Sequence, residues 1–232
     1  STDTTAAVPG AALSVGRFSF AATGSSTAGY FGGGVGSAFP IPNYSTMDKV
    51  TYASDTTAAV PGAALSAARR YLAATGNSTA GYFGGGLPTS SLMDKVTYSS
   101  DTTAAVPGAA LSVARSQLAA TGNQSSGYFG GGSPAPSTMD KVTYSSDTTA
   151  AVPGAALSGT RYRLAASGNS TAGYFGGGGP GTFSTMDKVT YSSDTTAAVP
   201  GAALSVARRS LAASSARANA LPQPTYPASF NV

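Results

Sequence analysis

The chain contains no cysteine, no histidine and no tryptophan. Without Cys there is no disulfide, and without Cys and His the usual zinc ligand sets are gone. The same absences remove every nucleophile–base pairing built on a thiol or an imidazole. The chain is therefore expected to be a non-enzyme, with no catalytic residues, no metal ligands and no cofactor. Any acid–base chemistry would fall to carboxylates and Lys. Charge is also scarce, at 9% of residues against the usual quarter of a soluble protein. The polar surface must then be mostly Ser, Thr, Asn, Gly and backbone. No apolar run approaches the ~18 residues of a membrane helix, so no membrane insertion is expected. No export signal is recognisable. The first residue, Ser1, already lies inside a repeat, which suggests a processed chain or a piece of a longer one.

What the chain does have is repetition. The run Asp-Thr-Thr-Ala-Ala-Val-Pro-Gly-Ala-Ala-Leu-Ser begins at Asp3, Asp55, Asp101, Asp147 and Asp194. Between its copies, Gly-Tyr-Phe-Gly-Gly-Gly begins at Gly29, Gly81, Gly127 and Gly173, and Met-Asp-Lys-Val-Thr-Tyr at Met47, Met93, Met139 and Met186. A fixed period of this length marks a repeat architecture whose units bury their apolar faces against neighbours. One domain is expected over 1–232, with 214–232 as an irregular, Pro-rich closing segment or tail. The charge follows the repeat, since each full unit carries two Asp, one Lys and one Arg. The net charge of +4 comes from Arg70, Arg163, Arg209 and Arg217, at variable positions or in the tail. A nucleic-acid partner would call for a basic stripe in the scaffold itself, so none is expected.

Within one unit, four short β-permissive runs are separated by turn signals, the pattern of a β-propeller blade. In the second unit these are 72–75, 78–83, 93–98 and 102–106. Gly76-Asn77 and Ser99-Ser100-Asp101 supply turns, and Val106-Pro107-Gly108-Ala109 fits a type II turn with Gly at the position needing positive φ. The stretch 109–121 competes, because Leu111, Ala114 and Leu118 fall at helical spacing in an Ala-rich segment. A β-α repeat is the alternative fold.

The full unit resembles the kelch repeat. The shared features are an aromatic strand ending in glycines, a strand with Tyr, and Arg before an apolar strand, here Arg17, Arg69, Arg115, Arg161 and Arg208. Ala and Val stand where kelch units usually carry Trp. The Ser/Thr/Gly/Ala-rich wording also resembles repeats in structural and tail proteins of marine bacteriophages, especially those of cyanobacteria. The resemblance implies an all-β, kelch-like propeller, and five copies of one string with complementary half-repeats at the two ends predict five blades. Residues 4–8 would serve as the outer strand of a fifth blade whose inner strands come from 210–232, closing the ring. Four blades plus an arm is the alternative.

Variation between copies is concentrated in two places. One is the loop between the second and third strands: 35–46, 87–92, 133–138 and 179–185. The other is the pair after each aligned Arg: Phe18-Ser19, Arg70-Tyr71, Ser116-Gln117, Tyr162-Arg163 and Arg209-Ser210. Alternating strand direction puts both on one face, and loops on a rigid scaffold are where binding resides. The candidate binding residues are Phe39, Ile41, Tyr44, Arg70, Tyr71, Tyr162, Arg163 and Arg209. The aligned Arg could hold an anion or pair with repeat Asp, and the Tyr-Phe pairs could stack sugars or pack blades. In each case the structural role is favoured. The long loop 35–46 either presents Phe39, Ile41 and Tyr44 outward or folds them over its own blade. Asn43, Asn77, Asn123 and Asn169 stand in Asn-x-Ser/Thr sequons, as this composition makes common. The expected role is a virion-surface or extracellular attachment module contacting a host-surface glycan or other virion proteins, with homo-oligomers open. A purely structural phage component and a lectin-like propeller outside a virion are the alternatives.

Overall fold

The computed structural model of the protein describes residues 5–134 and 137–214. Its regular elements are short strands and 3-10 turns, repeated on one plan. The first sheet holds β1 (Ala21–Gly24), β2 (Ala28–Gly32), β3 (Met47–Thr51) and β4 (Thr56–Ala59). The second holds β5 (Ala73–Gly76), β6 (Ala80–Gly84), β7 (Met93–Thr97) and β8 (Thr102–Ala105). The third holds β9 (Ala119–Gly122), β10 (Ser126–Gly130), β11 (Met139–Thr143) and β12 (Thr148–Ala151). The fourth holds β13 (Ala165–Gly168), β14 (Ala172–Gly176), β15 (Met186–Thr190) and β16 (Thr195–Ala198). Each sheet is antiparallel, with strands adjacent in space in their chain order. Across sheets, β1 lies beside β5, β5 beside β9, and β9 beside β13, while β13 and β1 do not pair up in this way. The fold is all-β, a β-propeller-like repeat of four blades among the described residues.

Pairing register explains why both faces of each blade are apolar. In the second sheet Tyr82 sits opposite Lys95, Gly84 opposite Met93, and Phe83 opposite Asp94. Successive side chains point to opposite faces, so Tyr82 and Met93 share one face while Phe83 and Val96 share the other. The first pair packs with Leu111, Leu118, Phe129 and Val142 of the next unit. The second pair packs with Tyr30 and Met47 of the preceding one. The glycine run allows this approach. A Cβ on Gly84 would lie 2.9 Å from the Phe129 ring. Gly85 and Gly86 have φ of 71° and 119°, and the turn they make brings the Gly86 N–H to the Arg115 carbonyl at 2.9 Å.

The linker is where local propensity loses. Residues 109–121 contain no helix: a 3-10 turn at Pro107–Ala109 gives way to extended chain and then β9. The turn is closed by the Ala109 N–H on the Val106 carbonyl at 3.0 Å. It is not the expected type II turn, since Gly108 is not among the glycines with positive φ. Ala109, Leu111 and Leu118 are all buried between blades, burial that a continuous helix through this span would forfeit. Between them the Ser112 N–H donates to Asp140 Oδ2 at 3.1 Å. The Arg115 guanidinium, fully buried, meets the same carboxylate at 2.9 Å and donates to the Phe129 carbonyl at 2.9 Å. One buried Asp thus ties down both halves of the linker, and Asp48, Asp94 and Asp187 repeat the arrangement with Arg17, Arg69 and Arg161.

The described residues contain four sheets where five blades were expected. Residues 5–8, part of the expected outer strand, have no ladder partner among the described residues. Residues 1–4 and 215–232, which carry the rest of that closure, lie outside the described residues. Removing the carboxylate from a buried pair leaves an uncompensated guanidinium, so Asp140→Asn is expected to destabilise the protein by about 3 kcal/mol or more. Asp55 is exposed, so Asp55→Asn is expected to leave the urea midpoint nearly unchanged. Equal midpoints for the two variants would contradict the role given to the buried pair.

Candidate functional site

The site begins one residue after each linker enters its blade. Ser19, Tyr71, Gln117, Arg163 and Ser210 occupy equivalent positions with φ of 57°, 57°, 58°, 56° and 57°. None is Gly, and a non-glycine residue held in this region costs on the order of 1 kcal/mol or more. Main-chain bonds hold them there. The N–H of Tyr71 donates to the Ser19 carbonyl, that of Gln117 to Tyr71, that of Arg163 to Gln117 and that of Ser210 to Arg163, each at 2.8 Å. The five residues form a curved ladder across the inner ends of the blades. Together with the apolar side chains that follow them, from Phe20 to Leu211, they line one cavity of about 560 Å³.

The ladder is uniform in backbone and varied in side chain, presenting two Ser, one Tyr, one Gln and one Arg. Arg163 donates from Nε to Gln117 Oε1 at 3.2 Å, and its guanidinium lies 5.9 Å from the centre of the Tyr162 ring. Arg70 lies over Tyr71 at 5.8 Å and donates to Asn43 Oδ1 at 2.8 Å. The rim therefore offers fixed donors, two guanidinium groups and two aromatic rings above an apolar floor. These are the components of a site for a polar, hydroxyl-rich ligand.

The expected shared face is present. Bridges join Phe18 to Val35, Arg70 to Leu87, Ser116 to Ser133 and Tyr162 to Gly179, tying each variable linker position to its variable loop. Of the candidate residues, Tyr71 and Arg163 line the cavity, while Arg70 and Tyr162 sit beside it on these bridges. Arg209 is exposed, with Nη1 3.4 Å from the Pro180 carbonyl. The long loop divides: Phe39 is 95% and Ile41 58% exposed. Tyr44 is half-buried and packs on Gly36, where an added Cβ would lie 2.8 Å from its hydroxyl. Ser19, Gln117 and Ser210 stand among the variable pairs in the sequence, but only the backbone ladder identifies them as cavity residues.

Four of the five aligned Arg are not an anion site. Arg17, Arg69, Arg115 and Arg161 are buried on their aspartates. Three Lys–Asp pairs staple neighbouring blades to each other. Lys49 donates to both Asp101 oxygens at 2.9 and 2.8 Å, and the Tyr30 hydroxyl bonds the same carboxylate. Lys95 and Tyr82 hold Asp147 in this way, and Lys141 and Tyr128 hold Asp194. Burial pushes these three carboxyls up, but hydrogen bonds from Lys and Tyr with the Lys charge outweigh it, leaving each below the ordinary aspartate value. Burial, then the bond to the carboxylate, pushes the phenols of Tyr30, Tyr82 and Tyr128 far up. Tyr30, Tyr82 and Tyr128 also stack on Tyr98, Tyr144 and Tyr191 at 4.8–4.9 Å. The Tyr-Phe pairs are packing groups wherever a further blade covers them. Asn77, Asn123 and Asn169 accept from the N–H groups two and three residues on, capping the hairpin between the first two strands.

No protein-family model matches the chain, and no curated protein sequence matches it.

Burial pushes the Tyr191 phenol up to about 12. A group whose folded pKa is raised contributes stability that is complete below its unfolded value, ~10 for Tyr, and is lost as pH rises through the folded value. The contribution of Tyr191 is thus expected to be lost between pH ~10 and ~12, its ionisation accompanied by loss of β-structure. Parallel tyrosinate absorbance and circular dichroism check this, and smooth ionisation near pH ~10 with the fold intact would refute it.

Proposed function

We propose that the protein is a non-enzymatic recognition module, an attachment domain of a virion or extracellular surface, that takes a polar glycan in the cavity at the inner ends of its blades. The observation that carries this is the contrast at the left-handed ladder. Five positions share one backbone geometry yet present different side chains to one cavity, within a scaffold whose strings are otherwise almost unchanged. Strained backbone concentrates where function uses it, and variable residues on a rigid frame suit ligand choice. Tyr71 supplies a stacking surface, Arg163 and Gln117 supply a joined pair of donors and acceptor, and the Leu floor excludes water. The absence of His and Cys favours binding over turnover. The kelch and phage resemblances favour a five-bladed array, and the fifth linker with Ser210 on the ladder agrees with it. On a glycan array, the protein is expected to retain a restricted set of ligands. Tyr71→Ala and Arg163→Ala should each weaken binding about tenfold or more without changing the thermal midpoint. Unchanged binding in both variants, or no glycan bound at all, would rule the cavity out.

The exposed loop favours a second contact, with another protein of the same surface. Phe39 is the most exposed large apolar side chain among the described residues, and Ile41 beside it is more than half exposed; exposed apolar groups of this kind mark interaction sites. The first loop carries both, where the second carries Leu92 at 41% exposure. Deleting residues 39–44 is expected to abolish particle assembly or host adsorption while the β-signal stays intact. Retention of both activities would assign the loop no role in attachment.

A further inference from the structure

The three blade-to-blade interfaces are nearly identical, and each closes the same gap. In the first three sheets Tyr30, Tyr82 and Tyr128 are at most 1% exposed, and Met47, Met93 and Met139 are 1% exposed. A Phe of the following blade fills the slot over the strand glycine: Phe83 over Gly32, Phe129 over Gly84 and Phe175 over Gly130. In the fourth sheet the corresponding Tyr174 and Met186 are only half-buried. A Cβ on Gly176 would meet Met186 and, among the described residues, no ring. Tyr174, Met186, Leu204, Arg208 and Leu211 instead border an open groove of about 340 Å³.

The linker for a further blade is already in place. The N–H of Leu204 donates to the Ser184 carbonyl at 2.8 Å, that of Arg208 to Phe183 at 3.1 Å, and that of Gly178 to Arg208 at 2.9 Å. The second linker shows the same three bonds at Leu65, Arg69 and Gly34. Residues 211–214 then follow the ladder at the place of a first strand, without a β-partner among the described residues. What is missing is chemically specific. Arg208 is exposed where its four equivalents meet an Asp of the third strand of the blade they enter. Lys188 has no carboxylate among the described residues where Lys49, Lys95 and Lys141 each have one.

We propose that this open side of the fourth sheet is a docking groove for a β-hairpin of the repeat's own sequence. The hairpin carries Gly-Tyr-Phe-Gly-Gly-Gly and Met-Asp-Lys-Val-Thr-Tyr, followed by the turn Asp. It adds to residues 211–214 as the second and third strands of a blade, a β-augmentation in which ladder bonds give affinity and side-chain slots give specificity. Its Phe enters the slot over Gly176, its strand Asp pairs with Arg208, and its turn Asp meets Lys188 and the Tyr174 hydroxyl. Charge decides between occupants. Residues 215–232 contain no Asp and no Glu, so the tail brings no side-chain carboxylate to Arg208, and the turn Asp of the first copy, Asp3, stands before residues 4–8 rather than in a hairpin. A second copy docking its first blade would offer Asp48, which is already held by Arg17 and Ser14 of its own linker.

The probe is a labelled peptide of residues 77–101, added to the full chain and followed by fluorescence anisotropy, with sedimentation run in parallel. Saturable binding to a monomeric chain is expected, weakened tenfold or more by Arg208→Ala in the chain and by Asp94→Asn in the peptide. Arg208 is on the surface, so the variant keeps its fold, and the peptide change tests the same contact without touching the protein. Absence of binding, or binding indifferent to both changes, overturns the proposal. So does binding that appears only after residues 215–232 are removed, which would make the tail the occupant. Concentration-dependent self-association that the peptide does not reverse would make a second copy the occupant and overturn it equally.

Discussion

A guanidinium and a carboxylate buried together at the root of each blade set the geometry of everything outside them. Net stability is not their main contribution, because desolvation offsets most of the attraction in such a pair. Their effect is positional. Arg115 cannot sit elsewhere without leaving a charge buried alone, and Asp140 is fixed in the middle of a third strand. The linker between the Ser112 N–H and Arg115 is therefore clamped at both ends to one side chain. Its Ala and Leu residues are delivered to the gap between blades, and its last residues to the inner ladder. A segment with strong helical propensity is held out of the helix by these two contacts and by the burial of Leu111 and Leu118 between blades.

The consequences spread from there in both directions. Outward, the clamped linker places Leu111 and Leu118 against Tyr82 and Met93 of the preceding blade, and the glycine run admits the next Phe. The Lys–Asp–Tyr staple then locks the outer half of the same interface. Inward, the Arg115 carbonyl accepts from Gly86, and the chain turns left-handed at Gln117 before β9 begins. Each unit contacts only its neighbours, so stability accumulates interface by interface, as in other repeat arrays. The strained ladder is tolerated because every interface restrains it from below.

Much of this was legible in the sequence. The repeat, its four strands and the shared face of loop and linker follow from the spacing of three strings and from alternating strand direction. The pairing of Arg with Asp follows from the neutrality of each unit. Other features were hidden for physical reasons. Residues 109–121 read as helix on composition because propensity does not register burial between two sheets. Pro107-Gly108 reads as a type II turn because Gly permits positive φ without requiring it. Gly108 instead sits close under the Asp147 carbonyl, 3.1 Å from where a Cβ would be. The left-handed ladder had no sequence signal at all, since Ser, Tyr, Gln and Arg share no turn chemistry and only main-chain bonds impose the conformation. Tyr44 and Phe39 are alike in composition and neighbours in one loop, yet only contact with Gly36 separates the packed one from the exposed one.

That main-chain origin has a bearing on how such a protein diversifies. A hydrogen bond from N–H to carbonyl is supplied by any residue except proline, so the ladder does not depend on which side chains it carries. Each of its positions sits in a different repeat and points into the same space. Substitution at one leaves the conformation of the others intact, and the number of distinct linings multiplies with each position rather than adding. The arrangement resembles a lock whose tumblers are cut independently in one unchanging barrel, and selection can re-key it without rebuilding the housing.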